Sequence, residues 1–160
     1  MFESANDAIL LMQGGQCIEC NTKALEMFGC TRDQIIGNPP YLFSPEIQPD
    51  GRYSRDKALE KIRKCLEGEP QLFEWRHLRN DGSTFDAEVS MNQVKVGQEI
   101  YRQYIIRDIS SRKQMEKEIR ESKEFSLALM DNAPYPIVVK GADSSIIYVN
   151  TALENFTAFT

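Results

Sequence analysis

Few side chains in this sequence could carry chemistry. His77 is the only histidine among 160 residues, and hence the only side chain that ordinarily titrates near neutral pH. It closes the run Phe73-Glu74-Trp75-Arg76-His77, beside the single tryptophan. Cys17-Ile18-Glu19-Cys20 has the spacing of a redox pair. Such a pair is activated where it opens a helix, whose dipole lowers the thiol pKa. The flanking residues here predict a strand, whose alternation would send the two sulfurs to opposite faces. With one distant histidine the set is also short of four metal ligands, so packing is the expected role. Asp108 and Arg112 stand four apart where a strand pattern becomes a helical one, a spacing suited to a helix cap and an ion pair. Glu74 and Glu88 fall on an outer face, where solvated charge is the default. No phosphate-binding glycine loop, nucleophile elbow or kinase signature is present, and no catalytic centre is expected.

The elements that would position these residues follow from pattern. Ala8–Met12 and Gln16–Cys20 flank Gly14-Gly15 and read as a hairpin. Asn21 can cap a helix that Gly29 stops, and Thr31 to Gly37 repeats this in miniature. Prolines at 39, 40, 45 and 49 mark residues 38–53 as loop. Ala58, Leu59, Ile62, Cys65 and Leu66 give an amphipathic helix from Ser54. From Gln71 the period becomes two. Phe73, Trp75, His77, then Phe85, Ala87, Val89, Met91, then Tyr104 and Ile106 define the inner face of a three-stranded meander. Arg112 to Asn132 lacks Gly and Pro and carries Met115, Ile119, Ser122, Ser126 and Leu129 at heptad spacing. A parallel homodimer through this helix is expected.

Composition narrows the class. Hydrophobic residues are 41% and charged residues 27%, with a net charge of −5. A folded domain is implied, and a nucleic-acid binder, which needs clustered basic charge, is not. No run approaches the ~18 apolar residues of a membrane span, and the start lacks a signal-peptide pattern. Four sparse cysteines fit a reducing cytoplasm better than a disulfide scaffold.

The last thirty residues echo the first thirty. Ile9 matches Ile137 at an offset of 128, and Asn21 matches Asn150 at 129. Phe28-Gly29-Cys30-Thr31 falls against Thr157-Ala158-Phe159-Thr160. A unit of about 130 residues therefore starts again and is expected to continue.

Order and punctuation together resemble the PAS sensor-domain family. The marks are Phe2-x-x-Ala5-x-Asp7-Ala8, Phe28-Gly29-x-Thr31, Ile35-Ile36-Gly37, Phe73-Glu74-Trp75-Arg76-His77, Asn80-Asp81-Gly82-Ser83 and Arg107-Asp108-Ile109-Ser110-x-Arg112-Lys113. The resemblance implies an α+β fold: a five-stranded antiparallel sheet with short helices on one face, a long connector helix, and a truncated second PAS start. Residues 1–110 would be the sensor domain, 111–131 a helical linker and 132–160 the opening of the second copy. It also implies a signal-sensing and relay module of a larger signalling protein, such as a sensor histidine kinase or a cyclic-dinucleotide enzyme. An unidentified small molecule would lie among Phe28, Ile62, Phe73, Trp75, His77, Ala87, Val89, Met91, Tyr104 and Ile106. Met27, Ile36, Leu42 and Leu66 would complete the helical wall, and Asp108 and Arg112 would relay the signal to a downstream domain. The cofactor stays unidentified. Haem is disfavoured because helix 54–67 lacks a histidine, and flavin photochemistry because the Asn-Cys-Arg-Phe-Leu-Gln stretch of LOV domains is missing. The alternative is a ligand-free dimerisation or spacer module.

Overall fold

The computed structural model describes residues 2–157, which divide into two units between Ser111 and Arg112. The first unit opens with β1 (Ala8–Gln13) and β2 (Gln16–Cys20), joined at Gly14 and Gly15, whose φ angles are +57° and +88°. A two-residue hairpin turn with positive φ at both positions matches strand twist, and glycine adopts it without strain. Then come α1 (Thr22–Phe28), α2 (Arg32–Ile35), a 3-10 turn (Pro40–Phe43), α3 (Ser54–Leu66), β3 (Gln71–Leu78), β4 (Thr84–Val96) and β5 (Glu99–Asp108). The strands form one antiparallel sheet in the order β2-β1-β5-β4-β3.

Register places the inner residues in rows across the sheet. Phe73 stands opposite Val89, Val89 opposite Ile106 and Ile106 opposite Ala8; one step along, Met91 faces Tyr104 and Tyr104 faces Leu10. These rows are the apolar face that α1 and α3 cover, and burying it is the main source of stability. The proline-rich loop is held by a buried side chain. Gln48 Nε2 donates to Ser54 Oγ (2.7 Å) and to the Arg76 carbonyl (3.1 Å), while its Oε1 accepts from Arg76 N (2.9 Å). Gln48 thereby bonds the open edge of β3, which would otherwise present unpaired amides.

One expectation from alternation fails. Glu19 pairs with Leu11 and Cys17 with Met12, so Ile18 is an extra residue opposite the step between Leu11 and Met12. This bulge advances the side-chain phase by one. Cys17 (3% exposed) and Cys20 (0%) consequently both point inward, while Ile18 is 40% exposed.

In the second unit, α4 (Ser110–Asp131, of which Ser110 and Ser111 belong to the first unit) leads to β6 (Val138–Lys140), β7 (Ile146–Val149) and α5 (Thr151–Thr157). β6 and β7 form a two-stranded antiparallel sheet. The match of residues 28–31 with 157–160 lies largely outside the described residues. No helix among the described residues is long and apolar enough to cross a membrane.

The repeat read in the sequence recurs bond for bond. Asn21 Oδ1 accepts from Ile9 N (2.9 Å) and Ala24 N (3.0 Å), and its Nδ2 donates to the Phe2 and Asp7 carbonyls. Asn150 Oδ1 accepts from Ile137 N (2.8 Å) and Leu153 N (3.2 Å), and its Nδ2 donates to the Met130 and Tyr135 carbonyls. Glu3 accepts from the amide and hydroxyl of Thr22, as Asp131 does from those of Thr151.

Candidate functional site

Between the inner sheet face and the helices lies a cavity of about 40 Å³. Phe28, Ile62, Phe73, Trp75, His77, Val89, Met91, Tyr104 and Ile106 all line it, joined by Leu10, Pro40, Tyr41, Phe43, Ser44, Ala58 and Lys61. Ala87, grouped with these from the sequence, is fully buried but does not line the cavity; it is the cross-strand partner of Trp75. Leu42 and Leu66 are 57% and 55% exposed and build no wall. Met27 and Ile36 pack in the core but away from the lining. The stretch Pro40–Ser44 takes their place. Its signal in the sequence was Pro40 opening a helical turn, with Tyr41 and Phe43 too large and apolar for an idle loop.

Two polar groups on this lining lack partners among the described residues. His77 Nδ1 is 3.2 Å from the Phe43 carbonyl. A carbonyl only accepts, so Nδ1 carries the proton and Nε2 keeps its lone pair. Nε2 is buried with no partner among the described residues. Burial pushes the His77 pKa down to about 4, with the Phe43 bond opposing, so the ring is neutral at pH 7. Its plane stacks on Phe85 (centroids 5.3 Å apart) and meets Phe28 edge-on at 5.2 Å. The Tyr104 hydroxyl is likewise buried without a partner, and desolvation raises its pKa to about 12. Trp75 is satisfied: its Nε1 donates to Ser44 Oγ at 2.8 Å. Lys57 and Lys61 lie over the Trp75 and Phe73 rings at 5.4 and 5.2 Å.

Asp108 ends β5. Its Oδ1 accepts from Ser110 N (2.9 Å), capping the start of α4, and its Oδ2 accepts from Arg79 Nη2 (3.0 Å). Arg112 forms an ion pair with Glu116 at 3.8 Å. Cys17, Cys20, Cys30 and Cys65 are not joined in disulfides. Burial raises the Cys17 pKa to about 11, with charge repulsion from Cys20 adding to it, opposite to what a reactive thiol needs. Among the described residues no three His, Cys, Asp or Glu side chains gather to hold a metal.

Comparison with known proteins agrees with this architecture. A protein of Azorhizobium caulinodans is 32% identical over 117 residues, which cover 70% of this chain and 15% of that protein. The chain thus spans a small part of the relative it matches. Among solved structures, the PAS domain of an HTR-like protein from Haloarcula marismortui is 24% identical, with a TM-score of 0.54, over 68% of this chain and 85% of that one. A PAS domain from Colwellia psychrerythraea is 22% identical, with a TM-score of 0.58, over 69% and 92%. The LOV domain of a blue-light activated histidine kinase from Erythrobacter litoralis is 20% identical, with a TM-score of 0.55, over 66% and 98%. The PAS domain family matches residues 6–111, the whole sheet with its covering helices, and the chain belongs to that family.

Proposed function

We infer that the PAS domain is the sensory input of a longer signalling protein, that it takes a small molecule in its cavity, and that the change leaves through β5 into α4. The cavity carries this reading: an apolar chamber inside the sheet's own core, with a histidine lone pair and a phenol left unbonded on its lining. A buried polar group without a partner is costly, and a ligand that satisfies it gains what the empty protein lacks. Phe28, Ile62, Phe73, Trp75, His77, Val89, Met91, Tyr104 and Ile106 are the proposed contact residues, with Ala87 packed beside Trp75. Asp108 and Arg112 are the proposed relay, because the first joins β5 to the start of α4 and the second lies in its first turn.

The domain reading belongs to the same proposal: a sensor over 1–110, a helical linker over 111–131, and over 132–160 the opening of a second PAS domain, supported by the bonds that Asn150 shares with Asn21. A sensor histidine kinase or a cyclic-dinucleotide enzyme in the cytoplasm is the proposed whole. Similarity to LOV domains makes flavin a candidate to test, but the residues do not favour it: the lining holds no cysteine for an adduct, and about 40 Å³ is small for a three-ring system.

Mass spectrometry of the protein purified from cells, native and then denatured, tests the reading together with an absorption spectrum. A released small molecule is expected. A protein that is empty, colourless and unmoved in Trp75 fluorescence by fractionated cell metabolites would overturn it.

A second reading, a ligand-free dimerisation or spacer module, is favoured by α4, where Met115, Ile119, Phe125 and Leu129 are each more than half exposed. It predicts a dimer that survives changes at His77 and Trp75.

A further inference from the structure

Residues 39–44 run as a strap between two fixed points. Before the strap, Cys17 N donates to the Asn38 carbonyl (3.0 Å) and Gly37 N to the Cys17 carbonyl (2.8 Å), which ties the chain to β2. After it, Ser54 Oγ donates to the Pro45 carbonyl and Ser54 N to the Glu46 carbonyl (2.9 Å), and Gln48 fastens the loop to β3. In between, Leu42 N bonds only back to the Pro39 carbonyl (3.2 Å), within the strap itself. Among the described residues, two hydrogen bonds cross from the strap to the sheet. His77 Nδ1 donates to the Phe43 carbonyl at 3.2 Å, and Trp75 Nε1 donates to Ser44 Oγ at 2.8 Å. A segment pinned at its ends and held in the middle by so few bonds opens at lower cost than the elements around it.

The strap separates two spaces. Tyr41 and Ser44 line the inner cavity, and the same two residues line an open groove of about 330 Å³ outside it. Among the described residues they alone border both spaces, so the wall there is one residue thick. The opposite flank of the groove is residues 53–56, where α3 begins.

Of the two flanks, the strap is the one free to move. α3 is anchored by the buried Ser54 and Cys65 (3% and 1% exposed), and its Lys57 and Glu60 pair with Asp50 (2.8 Å) and Arg52 (2.7 Å). Lys57 also lies over the Trp75 ring, which holds the indole from the helix side. The turn Pro40–Phe43 contains no buried residue, and Leu42 at its outer side is 57% exposed. Swinging it outward therefore uncovers little apolar surface beyond the Phe43 ring, which packs on Phe28 at 5.4 Å.

We propose that the strap is the door of the cavity, that the bond from Trp75 Nε1 to Ser44 Oγ is its latch, and that the ligand passes between Ser44 and the start of α3. This rests on reading the cavity as a ligand site. The latch joins the door to a residue of the proposed contact set, so a ligand that displaces the indole would also release the strap.

Trp75 is the single tryptophan, is 5% exposed and lies behind the latch, so quenching of its emission by acrylamide reports the door with no ligand needed. The measurement is made on the purified full chain. Ser44→Ala is expected to raise the quenching constant about threefold to tenfold, the shift in an opening equilibrium when one hydrogen bond is lost. Ser44→Thr keeps a hydroxyl and is expected to reverse most of that rise. Tyr41→Ala thins the same wall and should also raise quenching; it decides the matter should Ser44→Ala not fold. Leu66→Ala, at an exposed position at the other end of α3, controls for general loosening and should leave quenching unchanged. Unchanged quenching in Ser44→Ala, or an equal rise in Leu66→Ala, overturns the door. The ligand-site reading is judged separately by native mass spectrometry. A protein that releases a small molecule while its quenching ignores Ser44 would keep that reading and sink this proposal; an empty protein whose quenching follows Ser44 would do the reverse.

Discussion

Arg79 ties Asp108 to the helical layer: its Nη2 donates to Asp108 Oδ2 at 3.0 Å while its Nε donates to the Met27 carbonyl at 3.0 Å. The same guanidinium lies 4.3 Å from the centroid of Phe85, the ring on which His77 stacks. One side chain thus spans the end of α1, the aromatic cluster beside the cavity and the cap of α4.

Replacing Arg79 by alanine removes these contacts at once. Exposed ion pairs contribute little, but the Met27 carbonyl and the Phe85 face lose a partly buried partner. A loss of about 1–2 kcal/mol is expected in urea unfolding. Arg79→Lys, which cannot fork, should recover less than half of it. A change below measurement error for Arg79→Ala would show that the bridge is incidental.

His77 sets an acid limit on stability. Its folded pKa of about 4 lies below an unfolded value of about 6.5, so the unfolded chain binds the extra proton between these values. Stability therefore rises with pH through this window and is lost as pH falls from about 6.5 towards 4. By pH 5 the loss from this one group is about 2 kcal/mol. His77→Phe should flatten the pH dependence of urea midpoints between 5 and 6.5. An unchanged slope in that variant would remove His77 as its source.

Asn21 is fully buried and bonds two amides and two carbonyls. Asn21→Ala strips the side-chain partner from four backbone groups, of which Ala24 N alone keeps another, the Asn21 carbonyl at 3.1 Å, and should cost about 3 kcal/mol of the main unfolding transition. Asn150→Ala breaks the matching bonds in the second unit and should leave that transition in place. Hydrogen exchange would show its effect confined to Ile137 and Leu153, whose amides Asn150 holds.

The exposed stripe on α4 has its own test. If Ile119 and Leu129, 69% and 60% exposed, are buried in a dimer, Ile119→Asp with Leu129→Asp should convert it to monomer in light scattering. Helical content should be kept, because both positions are on the helix surface. A monomer before any substitution would dismiss the pairing of α4.

The sheet was legible because its strands alternate and its turns carry glycine at defined places; the strand face from Phe73 to Ile106 follows from period alone. What stayed hidden depends on partners distant in sequence. The bulge at Ile18 is a product of pairing between β1 and β2, and no local feature of Gln16–Cys20 announces it. Gln48 reads as a loop glutamine, and only its bonds to Ser54 and Arg76 reveal why the Tyr41–Ser44 stretch can wall a cavity. Arg102 shares its strand face with Tyr104 and Ile106, yet a charged residue at such a position reads as a surface residue, so period and polarity disagreed there. The repeat was visible through its asparagines, whose caps need one residue type at one place.

The extra residue at Ile18 also gives the hairpin a clock. With both sulfurs turned inward and the Cys17 thiol held near a pKa of 11, a soluble alkylating reagent can reach them only when β2 lifts from β1. Labelling of Cys17 and Cys20 should be slow, should proceed at one shared rate, and should quicken together when the edge of the sheet loosens. Deleting Ile18 would leave the two cysteines two apart on a regular strand, so both thiols should stay inward and keep one shared rate, whereas an alanine inserted beside Ile18 should turn one of them outward and separate the rates. Mass spectrometry of timed labelling would read both rates, and fast or unequal labelling in the unaltered protein would contradict it.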